Sequence, residues 1–518
     1  MMAFEATTFD APAFLPSNQL SPQNIGTLRL ATAAYFSLPG DTPALAYYAP
    51  RILGDVSIGQ SAADAFAVGG RVALGVSEVT ITDVDNFSAD LARYGLSDGR
   101  AARVKTLAVA DTRASDFGAS LADASVPFAG IIRAIDRAGE FQARIGLADN
   151  TERLATPLQA ALYQGTGGQE GGVDLKGKPK PVTLGQVFNV APVFLGNVDL
   201  GVGSLPTYQS HWRAIAGHDV IRIRGVVQTM TAGTPTVGQA RDWPALGMFQ
   251  LGSTPDGDVT ADLRGDAVPL YVNTTGTILR RLLQSLGPGF DASEFDDTAW
   301  GFAEVDLPGV VGFYQGAAAM SGLQASEIIL AGSGAMLAAG RGGRIRLCDV
   351  LVSDAPQFTV PAEWVLSLEP VALPATLRPL PRSVAVKYAR NWSPLANIAG
   401  AVAAADRQKL QAEASTVRSD SAIVTSRVAQ QRDLTFPGLY FGEADALARA
   451  ALWRAWIEKA PRMVRFVTDR YLNQIEIGQI GRVTYPAYGF NAGFTGVVVA
   501  WREELLARRV EITMVGAG

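Results

Sequence analysis

The sequence predicts a multidomain, mainly β chain with α+β parts, and three observations lead there. At 518 residues the chain exceeds what one hydrophobic core supports, so about three or four domains are expected. Its 48% hydrophobic and 18% charged residues can fill sizeable cores, while 54 glycines and 28 prolines supply the turns of many short strands. Runs that alternate apolar and polar side chains recur along the chain, whereas helical spacing is confined to a few windows.

The first β-prone runs are Gly26-Thr27-Leu28-Arg29-Leu30 and Ala44-Leu45-Ala46-Tyr47-Tyr48, separated by the turn residues Leu38-Pro39-Gly40-Asp41. Val79-Thr80-Ile81-Thr82-Asp83 alternates as a half-buried strand should. A turn around Ser97-Asp98-Gly99-Arg100 leads into a strand from Arg103 to Val109. Two more runs, Phe128-Ala129-Gly130-Ile131-Ile132 and Phe141-Gln142-Ala143-Arg144-Ile145, complete an N-terminal β domain expected over 1–160.

The composition then shifts to Gly165-Thr166-Gly167-Gly168-Gln169-Glu170-Gly171-Gly172, which cannot pack a core and marks the start of an inserted β module, 161–268. Its strands are expected between Leu184 and Leu195 and at Asp219-Val220-Ile221-Arg222-Ile223-Arg224-Gly225-Val226-Val227. The β-prone runs on either side of Pro255-Asp256-Gly257 predict a closing hairpin.

Helical periodicity enters with Ile278, Leu279, Leu282, Leu283 and Leu286, capped by Thr275 and stopped by Gly287-Pro288. A second helix is expected to start near Ser326, followed by a strand carrying Cys348, within an α+β hub domain over 269–380. The prolines 370, 374, 379 and 381 predict an extended linker over 361–381. The last unit, 381–518, opens with the strand Val384-Ala385-Val386-Lys387-Tyr388 and a polar, helix-and-loop stretch over 401–432. A helix over 443–459 follows, with Leu447, Ala450, Ala451, Trp453, Arg454 and Ile457 available for its buried face and Pro461 at its end. Four strands, near 463–468, 475–483, 495–501 and 509–514, would give that helix a sheet to cover.

Net charge is −5, and no Lys/Arg run is long enough to form a phosphate-gripping stripe. A DNA-binding role is therefore disfavoured, while a conduit that DNA slides through is allowed. No window approaches the ~18 apolar residues of a membrane helix. Met1-Met2-Ala3-Phe4-Glu5 has no secretory signature, so synthesis in the cytosol is expected.

Catalytic signatures are sparse. The two histidines, His211 and His218, have no Cys or carboxylate motif beside them and read as structural, and no His-Glu-x-x-His is present. Ser333 in Ala331-Gly332-Ser333-Gly334-Ala335 lacks the Gly-x-Ser-x-Gly register and reads as a loop serine. The glycines of 165–172 lack the Gly-Lys-Ser/Thr ending of a phosphate loop. Asp256, Asp258, Asp262 and Asp266 lack the terminal Glu of a calcium loop and read as a solvated turn. Glu294, Asp296 and Asp297 near Trp300 are the one set a glycosidase-like site could use, and equally an acidic first helical turn. Cys348, the sole cysteine, forms no intrachain disulfide and reads as a small buried hydrophobe. No catalytic, cofactor-binding or metal-ligating residue is therefore assigned, and no cofactor is expected.

Three stretches resemble tail-tip hub proteins of long-tailed phages, a group related to the baseplate hubs of contractile tails. Ile81-Thr82-Asp83-Val84-Asp85-Asn86-Phe87, followed by Asp98-Gly99-Arg100 and the strand from Arg103, resembles that family's N-terminal barrel. Glu170-Gly171-Gly172-Val173-Asp174-Leu175-Lys176-Gly177-Lys178-Pro179, within 165–182 and closed by 247–262, is similar to a module inserted in many such hubs. The stretch from Val384 onward is similar to the family's second tube-like domain. These are turn-and-strand patterns, without a catalytic signature among them.

The resemblance implies tube-like β-barrel or sandwich domains and a non-enzymatic virion protein at the tail tip, or baseplate. It implies a homotrimeric hub whose two tube-like domains per chain match the six-fold tail tube. The implied partners are the distal tail protein, the tail tube, the tape measure protein and a central fibre or receptor-binding protein. DNA is implied only as passing cargo during ejection, without stable membrane insertion. Many hubs continue into fibronectin-like or receptor-binding extensions. Here the sequence ends at Gly518, so a separate fibre or spike is expected to dock below. The alternatives are a tail-associated cell-wall hydrolase and a carbohydrate-binding adhesin.

Overall fold

The computed structural model describes residues 2–6, 28–62, 70–72, 74–76, 78–85, 88, 100–107, 119–351, 355–421, 424, 432–470, 472 and 474–517. The architecture is mainly β, with several sheets and few helices, as the composition and alternation predict. Among the described residues no helix is long and apolar enough to cross a membrane.

The first sheet has nine strands. Its centre is Met2–Ala6, Ala101–Thr106, Ser125–Gly139 and Gln142–Ala148, paired antiparallel. Val79–Thr82 joins at Gln142–Ala148. Alternation sets its faces: Val79 and Ile81 are buried, whereas Thr80 and Thr82 are partly exposed. Gly26, Thr27, Asn86, Phe87, the turn Ser97-Asp98-Gly99 and the positions Ala108 and Val109 lie outside the described residues.

Strands between Val182 and Asp266, together with Gly312–Gln315, form a two-sheet sandwich. One sheet runs Val226–Val227, Ile215–Ile223, Val259–Asp266, Val182–Val190, Gly312–Gln315. The other runs Val193–Asp199, Ser204–Gln209, Met248–Leu251, Gln239–Trp243, Thr229–Met230. Val187, Tyr208, Ile221, Phe249, Leu251 and Leu263 fill the space between. The hairpin expected across Pro255-Asp256-Gly257 is not formed. Met248–Leu251 pairs within one sheet and Val259–Asp266 within the other, so this turn is a crossover between layers. A turn sequence fixes a change of direction and leaves the pairing partner open.

Three helices follow, Thr275–Ser285, Asp297–Asp306 and Gly322–Leu330, around a core that includes Ile278, Leu282, Trp300, Phe313 and Leu330. The first is capped by Thr274, one residue before the expected Thr275, through a reciprocal box with Thr277. The third begins at Gly322 behind its cap Ser321, four residues ahead of Ser326, because Ser321 and Gln324 form a capping box of their own. The strand Ile345–Asp349 carries Cys348 and pairs with Ala335–Ala339.

The proline-rich stretch holds more structure than a linker. Val365–Val371 pairs antiparallel with Pro461–Thr468 and forms one edge of the C-terminal sheet. Pro370 is tolerated because an edge strand needs ladder donors on only one side. That sheet continues through Arg509–Ala517, Phe494–Glu504, Ile480–Val483 and Phe358–Val360.

A strand from far upstream completes it. Ser57–Ser61 pairs antiparallel with residues 500–504, and Gly70–Val72 adds parallel to Ala335–Ala339. Leu30, Ile58, Ile81, Phe128 and Ile145 accordingly share one continuous core with Trp453, Phe466, Val498, Trp501 and Ile512. Beside this core, Ser415–Asp420, Ser383–Tyr388 and Asp433–Tyr440 make a small sheet against which the helix Glu443–Glu458 packs. Residues 422–423 and 425–431 of the polar stretch lie outside the described residues.

The helix Glu443–Glu458 buries Ala446, Arg449, Ala450, Trp453, Trp456 and Ile457, while Leu447 faces solvent at 42% exposure. The inward face is thus rotated from the one that apolar spacing indicates. Arg449 points inward because Asp349 accepts from it there.

Candidate functional site

Each acid flagged as a hydrolase candidate is tied to its own arginine. Glu294 sits 2.7 Å from Arg153, Asp296 3.0 Å from Arg346 and Asp297 2.6 Å from Arg280. Asp296 caps the helix Asp297–Asp306 through its bond to the Ala299 N–H, and Asp297 lies in the first turn. The acidic-first-turn reading is therefore the one realised. Trp300 is fully buried in an edge contact with Phe295, and its ring packs into the core, not against an open cleft.

The second acidic set is dispersed. Asp256 pairs with Arg224 at 3.2 Å, and Asp262 accepts two 2.6 Å bonds from Arg222. Asp258 offers its backbone carbonyl to the Arg224 N–H. Asp266 is fully buried and accepts from Arg213 at 2.6 and 2.8 Å and from Arg281 at 2.8 Å. Burial alone would raise its carboxyl, but His211, Arg213 and Arg281 hold it well below the usual carboxylate range. Among the described residues no three His, Cys, Asp or Glu side chains gather in a metal-holding group.

Ser333 is a turn serine, donating to the Leu330 carbonyl at 2.6 Å and accepting from the Ala335 N–H. The glycine-rich run is a folded turn closed by the Glu170–Lys180 pair at 2.6 Å, and that pair lowers the Glu170 carboxyl. Burial pushes the Cys348 thiol up to about 11, so the nucleophilic thiolate is suppressed.

Sequence reasoning missed one constellation. His218 Nδ1 lies 2.6 Å from Asp242 Oδ1, and its Nε2 lies 3.0 Å from Ser210 Oγ. His218 and Asp242 come from facing sheets, on the strands Ile215–Ile223 and Gln239–Trp243, with Ser210 just after Ser204–Gln209. The connectivity is that of an acid–imidazole–hydroxyl relay. Ser210, however, is fully buried, and its backbone N–H is already bonded to the Gly247 carbonyl. No substrate carbonyl can reach the hydroxyl, so the relay staples two sheets together. Separations of 8 and 24 residues carry no recognisable spacing, and no sequence signal would have found it.

One open groove of about 800 Å³ separates the helix Gly322–Leu330 from the segment after Ser383–Tyr388. Gln324, Glu327 and Ile328 line one wall, and Lys387, Arg390 and Leu439 contribute to the rest. It mixes both signs of charge with aliphatic walls and holds no nucleophile–base pair.

No protein-family model and no curated protein matches the chain. Among solved structures it is similar to the tail protein from Neisseria meningitidis MC58, at 8% identity and TM-score 0.40 over 90% of this chain and 92% of that one. It is also similar to the 43 kDa tail protein of prophage MuSo2 from Shewanella oneidensis, at 10% identity and TM-score 0.39 over 90% and 95%. A chain of the native gene transfer agent virion aligns at 11% identity and TM-score 0.41 over 66% and 85%. These are tail and virion proteins.

Proposed function

We propose that the chain is a structural, non-enzymatic phage tail protein that forms a homotrimeric hub at the tail tip, or baseplate. The observation that carries this reading is the pair of large β units on one shared core, the nine-stranded sheet and the C-terminal sheet. A three-fold object can cap a six-fold tube only if each chain offers two docking units, and closed cyclic symmetry then fixes the count. The strand Ser57–Ser61, built into the C-terminal sheet, supports a fixed spacing between those units.

The working division is four units, 1–160, 161–268, 269–380 and 381–518, with the strands Ser57–Ser61 and Gly70–Val72 pairing outside the first. In this reading the hub contacts the distal tail protein, tail tube and tape measure protein above and a central fibre or receptor-binding protein below. DNA passes during ejection without being held. The separate arginine partners of Glu294, Asp296 and Asp297 disfavour the hydrolase alternative.

Native mass spectrometry and negative-stain electron microscopy of the purified chain test the proposal. The expected result is a mass three times that of the chain and three-fold rings with six peripheral lobes. A monomer that persists at micromolar concentration, alone and with the neighbouring tail proteins, would overturn it.

A further inference from the structure

His211 stands where the inserted β module joins the helical domain. It follows the strand Ser204–Gln209 and is 1% exposed. Its Nδ1 accepts the backbone N–H of Thr183, at 2.9 Å, at the start of the strand Val182–Val190. A nitrogen that accepts carries no proton, so the ring is neutral with its hydrogen on Nε2. That Nε2 faces Asp266 Oδ1 at 3.6 Å, too long for a good hydrogen bond yet close enough for its N–H to favour the carboxylate, and it has no other partner.

Asp266 ends the strand Val259–Asp266 and ties this joint together. It accepts from Arg213, from Arg281 on the helix Thr275–Ser285, and from the Val268 N–H at 3.2 Å. Arg281 also donates to the carbonyls of Val268 and Leu270, where the module gives way to the helix. One carboxylate therefore faces two permanent cations, and the charged groups around His211 are Asp266, Arg213 and Arg281. A proton on Nδ1 would delete the Thr183 bond and place a third cation beside a single anion.

We propose that His211 is an acid-sensitive latch, whose protonation releases the root of the inserted module from the helix Thr275–Ser285. Burial, with Arg213 and Arg281 adding to it, lowers the proton affinity of the folded imidazole, and the attraction of Asp266 is too small to cancel it. The open state thus binds the proton more tightly than the closed one. Closure is fully favoured above the ordinary histidine value of about 6.5 and weakens as pH falls below it.

Hydrogen exchange of the full-length protein at pH 7.5 and 5.5, corrected for intrinsic exchange rates, tests it. Residues 182–190, 204–213 and 262–285 should lose protection by up to about tenfold at pH 5.5, while 494–504 stays protected. His211→Asn keeps an acceptor for Thr183 but does not titrate near neutrality, and should remove the pH dependence. Unchanged protection in the wild type, or equal loss in His211→Asn, would overturn the latch. Should that variant fail to fold, the wild-type imidazole resonances decide. A His211 ring that titrates while these segments stay protected refutes the proposal, and titration that coincides with loss of protection supports it.

Discussion

Arg449 and Asp349 meet in the interior, where Arg449 Nη2 donates to both carboxylate oxygens of Asp349 at 2.8 Å. Both side chains are nearly inaccessible, at 3% and 2% exposure. Burial raises the Asp349 carboxyl and Arg449 opposes the shift, so each charge depends on the other for its solvation. The contact fixes which face of the helix Glu443–Glu458 turns toward the strand Ile345–Asp349.

Removing one partner should therefore cost more than removing both. Arg449→Met is expected to lower unfolding free energy by about 3–5 kcal/mol, since it strands a buried carboxylate. Arg449→Met combined with Asp349→Leu should recover most of that loss. Denaturant unfolding of both variants checks the order.

The upstream strand Ser57–Ser61 should behave as part of the C-terminal sheet. Ile58 is fully buried in the shared core, and Gln60 accepts a 3.1 Å bond from the Trp501 indole. Ile58→Ala should cost about 2–5 kcal/mol. Hydrogen exchange should show the extra opening at residues 494–504 as well as at 57–61. A loss confined to the N-terminal sheet would refute the pairing.

At the helix Thr275–Ser285 the hydroxyl of Thr274 accepts from the Thr277 N–H. Thr274→Ala should cost about 0.5–2 kcal/mol, whereas Thr274→Ser should stay within a few tenths because it keeps the oxygen. Thermal unfolding of the two variants separates them. Thr275→Ala, next to the cap, should leave the capping bond in place.

Cys348 offers a built-in probe of opening. Its thiol is buried and pushed up to about 11 by that burial, and it donates to the Ile477 carbonyl at 3.3 Å. Iodoacetamide at pH 8 should leave the native protein unmodified and label it rapidly in denaturant. Mass spectrometry of the intact chain reads the outcome. Rapid native labelling would mean that the strand Ile345–Asp349 opens readily.

Much of the local structure was legible because it depends on neighbours a few residues away. Alternation located Val79–Thr82 and most of Ile215–Ile223, and 3.6-residue spacing located Thr275–Ser285 and Glu443–Glu458 to within a residue or two. The dual reading of Glu294, Asp296 and Asp297 could not be settled by pattern, because their arginines, Arg153, Arg346 and Arg280, are scattered through the chain.

The sequence by itself determined that this chain is β-rich, multidomain and poor in catalytic signatures, since composition and short-range periodicity report how each segment buries its own side chains. Only the tertiary structure decided which strands pair, that Ser57–Ser61 belongs with Phe494–Glu504, and that Met248–Leu251 and Val259–Asp266 part into different sheets. It alone turned Arg449 inward and Leu447 outward, and assembled Ser210, His218 and Asp242. The physical reason is that pairing and charge compensation act between groups separated by tens to hundreds of residues. A local pattern prescribes the shape of a segment but not the neighbour that will satisfy it.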